Sequence, residues 1–225
     1  MTMRLHGYWR SNATFRVRVA LTLLDLPFEE IEYDLLEGHQ FDPAFLAINP
    51  NGHIPAVIDQ RPVSEGGEVV VWESMACALY IARHHGPADG QSITPASPGE
   101  DADALRWSFW AVTEAETDAL TVLMHRMVMP EGRRKADLAD AAERRLAVPF
   151  RVIEQHLQRQ SARGAGFLAA SRFTVADVCV ASVLNWARPS RGLMAAHPLT
   201  HDWILRCIER PAHVAVKAMG QADIG

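Results

Sequence analysis

Short β-branched and aromatic runs alternate with helix-like segments over the first third of the chain. Runs typical of strands lie at residues 3–8, 28–33, 54–59 and 69–72. Between and after them, apolar residues that recur every three or four positions predict helices over 11–25, 41–48 and 74–85. The last two strands flank a turn that contains Gly66 and Gly67, which favours a hairpin. The predicted order is β-α-β-α-β-β-α, a mixed sheet covered by helices.

A change of pattern after residue 86 predicts a second, all-helical domain. Residues 87–97 are mostly small or polar and include Pro95, as is typical of a linker. Beyond them the strand-like runs cease, and helices are predicted over 98–129, 133–160 and 174–187, with shorter ones around 201–209 and 212–219. The chain therefore divides into an α/β domain at 1–86 and an all-α domain at 98–225.

Two capping boxes mark helix starts in the second domain. Ser97 and Glu100 form the first, with Pro98 at the first helical position, where its missing N–H costs nothing. Thr174 and Asp177 form the second, and apolar residues flank it in the hydrophobic staple positions. We interpret both motifs as structural and assign them no chemistry.

Composition and charge exclude several classes of function. Hydrophobic residues make up 48% and charged residues 22% of the 225, an ordinary globular balance with enough length for a proper core. The formal net charge of -5 gives no electrostatic drive toward nucleic acid, so we expect no nucleic-acid partner. The first ten residues hold no apolar segment typical of a secretory signal, and no apolar run reaches the roughly 20 residues of a membrane helix.

The cysteines and histidines predict neither a disulfide framework nor a metal centre. Cys77, Cys179 and Cys207 are far apart and lie in apolar helical patterns, as expected of buried thiols in a reducing compartment. The ten histidines form no HExxH motif, and the adjacent His84 and His85 point apart on a helix. A cytoplasmic protein without a bound metal is predicted.

Four segments resemble motifs that occur together and in this order in one known family. YWRSNATFRVRVAL at 8–21 is similar to YWRSSCxxRVRIAL, and NPNGHIPAV at 49–57 is similar to NPxGxVPAL. WESMACALYI at 72–81 resembles ESxAIxxYL, and FTVAD at 173–177 matches a helix-capping box. The family is the glutathione transferase superfamily, and the first segment most resembles its zeta class, the maleylacetoacetate isomerases.

The resemblance implies a thioredoxin-like first domain, a helical second domain and usually a homodimer. It also implies glutathione as co-substrate and a small hydrophobic or carboxylate-bearing electrophile as its partner. Side chains of the second domain would shape the electrophile site, although the same residues are equally consistent with core packing: Trp107, Trp110, Met124, Met127 and Met129.

Ser11 has two interpretations that the sequence alone leaves open. It suits a helix N-cap, as does Asn12. In the zeta-like register, the Ser11 hydroxyl would instead donate to the sulfur of glutathione, whose thiol has an ordinary pKa near 8.5. A hydroxyl donor and the positive end of the first helix both favour the thiolate. Tyr8 and Thr14 are rival donors, since other classes use a first-strand tyrosine.

The chain departs from the zeta pattern directly after Ser11. Asn12 replaces the second serine and can still donate through its amide, so it remains a candidate glutathione contact. Ala13 replaces the cysteine, so activities that rest on that thiol are not expected.

Ile54 and Pro55 are the next candidates. A proline at this point suits an edge strand. The resemblance implies instead a cis Ile54–Pro55 bond, with the Ile54 backbone turned outward to pair with the cysteinyl residue of glutathione as an added strand would.

Glu73 and Ser74 stand at a helix start, where they can act as caps or as ligands. The resemblance places the γ-glutamyl carboxylate on Ser74 and the helix N-terminus, with Glu73 paired to the ammonium group. It also places Gln40 near the glycyl end. His53 can reach the ligand or lie in a solvated loop.

Three arginines complete the candidates. Arg16 and Arg18 are two positions apart and cannot face the same way on a helix, so one is expected to line the site and the other to form a salt bridge. Arg188 ends the helix that begins at Thr174, near where the zeta class places an arginine for the substrate carboxylate.

These observations predict a glutathione transferase that conjugates or isomerises a small electrophile. The alternative is a non-catalytic transferase-like domain that dimerises or binds partners. Such a domain would keep the fold motifs and lose the ligand contacts, whereas this chain retains Ser11, Pro55, Glu73 and Ser74.

Overall fold

The computed structural model describes residues 3–61 and 63–222. By contacts, the chain forms two compact units: the first holds the residues up to Thr94 and the segment from Pro211 onward, and the second holds Pro95–Arg210. In the described part of the chain, no helix is both long and apolar enough to cross a membrane.

The first unit contains a four-stranded mixed sheet. Its strands are β1 (Met3–Gly7), β2 (Phe28–Glu32), β3 (Ala56–Gln60) and β4 (Glu68–Trp72). Their spatial order is β2-β1-β3-β4, in which β2 runs parallel to β1 and the other neighbours are antiparallel. All four predicted strands are confirmed, including the β3–β4 hairpin.

Three helices of this unit follow the predicted order: α1 (Asn12–Leu23), α2 (Pro43–Leu46) and α3 (Ser74–His85). They bury apolar side chains against the sheet, among them Val17, Leu21, Phe45 and Ile81, all with no exposed surface. The β-α-β-α-β-β-α order and this packing define the thioredoxin-like domain that the sequence predicted.

The second unit is helical, as predicted. It contains α4 (Pro98–Ala111), α5 (Thr117–Leu123), α6 (Ala136–Ser161), α7 (Val175–Leu184), α8 (Arg191–Ala196) and α9 (Pro198–Ile208). The predicted helix over 98–129 is present with two π-helical stretches, Val112–Glu116 and Met124–Val128. The capping box of Thr174 and Asp177 is confirmed. Ser97 caps α4, since its hydroxyl accepts from the Glu100 N–H at 3.2 Å, but the Glu100 carboxylate accepts from the Ala96 N–H at 2.9 Å, so only half of the predicted box forms.

The last helix does not belong to the unit in which the predicted domain boundary placed it. The sequence placed everything from 98 to 225 in one helical domain, whereas α10 (Pro211–Ala222) groups with the first unit. It packs against α1, where the Phe15 and His213 rings meet edge to face with centroids 4.7 Å apart. A contact between residues so distant along the chain leaves no trace in local hydrophobic spacing.

Candidate functional site

Ser11 lies at the N-terminus of α1 and is its N-cap. Its extended backbone (φ -79°, ψ 119°) lets the hydroxyl oxygen accept a hydrogen bond from the Thr14 N–H at 3.2 Å. A serine hydroxyl keeps its own proton while it accepts through a lone pair. Ser11 is half-buried, so a ligand can reach it. Capping therefore leaves the hydroxyl proton available for a second hydrogen bond, and the two interpretations of Ser11 are compatible.

The two rival hydroxyls differ in their access to a ligand. Thr14 has no exposed surface, and its hydroxyl oxygen accepts a hydrogen bond from the Tyr8 N–H at 3.3 Å. It also lies against Gly7, where an added Cβ would meet the Thr14 methyl at 2.3 Å, so close packing fixes it in place. Tyr8 is half-buried, with its ring beside that of Trp9 at a centroid distance of 6.3 Å. Tyr8 therefore remains the alternative donor.

The residues after Ser11 lie in the first turn of α1. Asn12 is exposed, and Ala13 is half-buried. No side chain from this turn brings a thiol to the site.

The Ile54–Pro55 peptide bond is cis, which confirms the prediction for the segment before β3. Strand pairing between β1 and β3 starts at Ala56. Within residues 3–61 and 63–222, neither the N–H nor the C=O of Ile54 has a backbone partner. An unpaired donor and acceptor on one residue offer an incoming peptide the contacts of an added strand.

Asn49 fixes the loop that leads to Ile54, a role that the sequence reasoning missed. The Asn49 side chain is buried, donates to the His53 carbonyl at 2.6 Å, and accepts from the Asn51 N–H at 3.1 Å. Gly52 has φ +62°, and an added Cβ there would meet the Phe41 ring at 2.9 Å. The loop therefore requires glycine at this point.

Gln40 and His53 lie in or beside this loop region with different exposure. Gln40 is half-buried, and its side-chain oxygen is buried without a hydrogen-bond partner among the described residues. His53 is exposed. Gln40 thus offers a hydrogen-bond acceptor that no residue within 3–61 and 63–222 satisfies.

Glu73 and Ser74 form the start of α3, and the backbone there is unusual. Glu73 has φ 70° and ψ 116°, a region that non-glycine residues rarely occupy. Such a conformation persists only where the surrounding structure enforces it, and it concentrates at functional sites. Glu73 is exposed and makes no side-chain cap, so its carboxylate is available to a ligand.

Arg16 lies behind Ser74, a neighbourhood that its sequence position did not reveal. The Arg16 side chain is 1% exposed, and its Nη1 donates to the Ser74 hydroxyl oxygen at 2.6 Å. The unbonded N–H groups at the start of α3 and this guanidinium together make the neighbourhood of Ser74 positive. This is the electrostatic setting that a carboxylate requires.

Arg18 and Arg188 take other positions. Arg18 forms a salt bridge with Glu30, as expected for whichever of the two α1 arginines faces away from the site. Arg188 is exposed in the second unit and donates to the Asn185 side chain at 3.2 Å.

The apolar residues named for an electrophile site differ in environment. Trp107 is buried, and it packs edge to face on Trp110 and on His156 at centroid distances of 5.3 and 4.7 Å. Met127 is 59% exposed, while Met124 and Met129 are half-buried. Trp107 is therefore part of the helical core.

The protein's own thiols are poorly suited to chemistry. Cys77, Cys179 and Cys207 are all buried, and burial raises the pKa of both Cys77 and Cys207. A buried neutral thiol is a weak nucleophile. Among the described residues, no group of histidine, cysteine and acidic side chains could hold a metal ion.

Family models match both parts of the chain. The glutathione S-transferase N-terminal domain matches residues 1–83, and the C-terminal domain of the same family matches residues 116–211. Glutathione S-transferase 3 of Zea mays is 32% identical over 93% of this chain and 90% of its own length. A zeta-class glutathione S-transferase of Euphorbia esula is 43% identical over 79 residues, which are 35% of this chain and 32% of the relative.

A solved structure supports the same assignment. Glutathione S-transferase III in its apo form superposes with a TM-score of 0.77 at 30% identity, covering 97% of this chain and 96% of the other. The fold, the two family models and the Zea mays relative agree, and the chain belongs to the glutathione S-transferase family.

Proposed function

We propose that this chain binds glutathione in its first unit and activates the glutathione thiol for attack on a small electrophile. The observation that carries the proposal is the pairing of Arg16 with Ser74 at the start of α3, beside an exposed Glu73 carboxylate. A positive helix end and a nearby free carboxylate match the two charges of an α-amino acid.

The γ-glutamyl end of glutathione would bind at this helix start. Its α-carboxylate accepts from the Ser74 hydroxyl and the first N–H groups of α3, while Arg16 supplies positive charge from behind. Its ammonium group pairs with Glu73. The unusual backbone of Glu73 supports this role, because it is a departure from ordinary geometry at the point where the ligand would bind.

The cysteinyl and glycyl parts would follow along the loop before β3. The free N–H and C=O of Ile54 pair with the cysteinyl backbone in the manner of an added strand, and Pro55 continues the chain into β3. At the glycyl end, the side-chain oxygen of Gln40, which has no partner among the described residues, would accept from the glycyl N–H. Asn12 and His53, both exposed, are the remaining glutathione contacts in this proposal.

Ser11 would activate the thiol. Its hydroxyl donates to the sulfur, and the positive end of α1 adds to the stabilisation, so the pKa of bound glutathione falls below its ordinary value near 8.5. Because the cysteines of the chain are buried, the nucleophile in this mechanism belongs to glutathione alone.

The reaction that we favour is conjugation. Glutathione-dependent isomerisation of a maleylacetoacetate-like substrate is the second candidate, and the similarity of the segment at 8–21 to the zeta pattern supports it. Ala13 stands where that pattern has cysteine, which favours conjugation. For either reaction, the exposed Arg188 remains the candidate for a carboxylate-bearing substrate. The same expectation for Arg16 does not hold, because its side chain is 1% exposed and bonded to Ser74. The non-catalytic alternative loses ground because the candidate glutathione contacts are retained.

The proposal extends to a cytoplasmic homodimer, the state that the family resemblance implies. Size-exclusion chromatography with light scattering measures the assembly directly, and a mass of one 24.9 kDa chain would contradict the dimer.

Calorimetric titration with glutathione, followed by an electrophile screen that includes a maleyl-type cis-enone, tests the function. We expect saturable binding, activity with conjugating electrophiles, and weaker binding with S74A. Val63→Ala, at a 92% exposed position, serves as the matched control that should bind normally. Binding without turnover of any electrophile would refute the activation of the thiol. Absence of binding would refute the whole proposal and favour the non-catalytic alternative, which lacks the ligand contacts.

A further inference from the structure

The turn that carries the chain from β1 to Ser11 is held by side chains outside it. The Ser11 N–H donates to the Tyr8 carbonyl at 2.9 Å, which closes a four-residue turn with Trp9 and Arg10 at its centre. In such a turn, the N–H and C=O of the second residue take no part in the closing bond. The turn itself therefore leaves both polar groups of Trp9 to be satisfied elsewhere.

Both groups are bonded from the flanking elements. The Trp9 N–H donates to Oε1 of Glu32, at the end of β2, at 2.8 Å. The Trp9 carbonyl accepts from Nη1 of Arg18, in α1, at 3.2 Å. One peptide unit on each side of Trp9 is thus tied to the sheet and to the helix that Ser11 caps.

The two side chains that bond to Trp9, those of Arg18 and Glu32, are also linked to each other, and Arg18 pairs with Glu30 as well. Arg18 is buried, with 7% of its side chain exposed, and its Nε lies 2.9 and 2.8 Å from the two carboxylate oxygens of Glu30. A second guanidinium nitrogen of Arg18 lies 3.8 Å from Glu32. Glu30 and Glu32 are two positions apart on β2 and therefore point to the same face. The result is a closed network of Glu32, Trp9, Arg18 and Glu30.

We propose that Arg18 and Glu32 are positioning residues for Ser11, which fix the turn so that its hydroxyl meets the glutathione sulfur. This inference rests on the proposed function. Neither side chain touches the reacting atoms; both act through the backbone of Trp9, two residues before Ser11. A hydroxyl displaced by about 1 Å loses most of its effect on the sulfur, since catalytic groups must be held within about 0.5 Å of their productive geometry.

The expected signature is a change in ionisation rather than in affinity. Apart from Asn12, the contacts proposed for the peptide of glutathione lie on other segments, at Gln40, His53, Ile54 and the start of α3, and none of these residues belongs to the network. Loosening the turn should therefore raise the pKa of the bound thiol by about 0.5–1 unit and lower kcat at neutral pH by about three- to tenfold. The dissociation constant of glutathione should stay within about twofold.

Glu32 offers the cleaner variants, because its side chain is 44% exposed and its replacement leaves no buried charge. Glu32→Ala removes the acceptor of the Trp9 N–H, whereas Glu32→Gln keeps a carbonyl oxygen in its place. Arg18→Lys retains a charge but loses the fork that holds Trp9 and Glu30 together. Glu65→Ala is the matched control, since it breaks the Arg61–Glu65 ion pair in the same unit, away from Trp9.

The experiment follows the thiolate absorbance of bound glutathione against pH, together with glutathione affinity and kcat. We expect the pKa shift in Glu32→Ala and Arg18→Lys, its recovery in Glu32→Gln, and no change in Glu65→Ala. In a Ser11→Ala background the Glu32→Ala shift should vanish, because it acts through that hydroxyl.

Three results would overturn the positioning role. They are an unchanged thiol pKa in Glu32→Ala with wild-type folding, a shift that persists in the Ser11→Ala background, or an equal shift in Glu65→Ala. If the wild type binds no glutathione, the proposed function itself fails, and that result is distinct because it appears before any variant is made.

Discussion

Nη1 of Arg16 lies 2.6 Å from the hydroxyl oxygen of Ser74 and donates a hydrogen bond to it, although 58 positions separate the two residues. The bond joins the middle of α1 to the first residue of α3. A buried guanidinium thereby supports, from behind, the helix start at which we propose that the glutathione carboxylate binds.

This pair gives the first prediction. Ser74→Ala removes a hydrogen bond to a charged group, worth about 1.5–3 kcal/mol, so glutathione affinity should fall by roughly 10- to 150-fold. Arg16→Lys should also weaken binding, and the double variant should lose less than the sum because the two groups act as one unit. Calorimetry on all three proteins measures this. Strict additivity would contradict a shared role.

Substitutions at Glu73 can separate the effect of its backbone conformation from the effect of its charge. Glycine adopts φ 70° readily, so Glu73→Gly relieves the unfavourable conformation while it removes the carboxylate. We expect thermal stability equal to or above that of the wild type and glutathione affinity reduced by about tenfold or more. Glu73→Gln, which keeps the shape and loses the charge, is the comparison. Unchanged affinity in both variants would mean that Glu73 has no part in binding.

Ser11→Ala should affect the thiol more than the affinity. A hydrogen bond to a charged group is worth about 1.5–3 kcal/mol, which corresponds to about 1–2 pKa units. The bound thiol should titrate higher, and conjugation at neutral pH should fall by about 10- to 100-fold and recover in part at higher pH. Spectroscopic titration of bound glutathione measures the change. A shift in Tyr8→Phe without one in Ser11→Ala would assign the role to Tyr8.

Asp177 should be a major determinant of stability. It is fully buried and accepts from the Leu168 N–H at 3.0 Å, the Thr174 N–H at 2.9 Å and the Trp203 indole at 2.9 Å. Asp177→Ala leaves these donors without an acceptor, and each such loss costs about 1–3 kcal/mol, so we expect at least about 3 kcal/mol of destabilisation.

The matched control is the cap of α4. Ser97→Ala removes one exposed cap bond and should cost about 1 kcal/mol. Urea unfolding of both variants gives the comparison, and equal effects would show that the buried network adds nothing to an ordinary cap.

The lowered pKa of His213 leads to a prediction of how α10 responds to acid. Burial, with a smaller contribution from Lys217, lowers the pKa of His213 to about 4 from its ordinary 6.5. Because the unfolded chain then binds a proton more readily than the folded one, the stability from this site is present above pH 6.5 and is lost between about 6.5 and 4.

The measurement is the thermal midpoint against pH for the wild type and His213→Phe, together with hydrogen exchange in α10. The wild type should lose more stability than the variant across that window, with exchange rising first in α10. Parallel curves for the two proteins would contradict the prediction.

The local features of this protein were readable from its sequence. Helix caps at Ser11, Ser97 and Thr174 involve partners three residues away, so residue type and spacing suffice to predict them. The strands follow from β-branched runs, and the opposite directions of Arg16 and Arg18 follow from helix geometry.

Contacts between distant segments were decided by the tertiary structure. The sequence indicated that one α1 arginine would face the site, but only the packing of α1 on α3 brings Arg16 to Ser74. The hydrogen bonds that join Trp9 to Arg18 and Glu32, and the packing of α10 on α1, likewise connect segments that are distant along the chain. Spacing along the chain carries no information about which of many charged or apolar partners will meet. Burial selects among them, because a guanidinium taken out of water must find its hydrogen bonds within the fold.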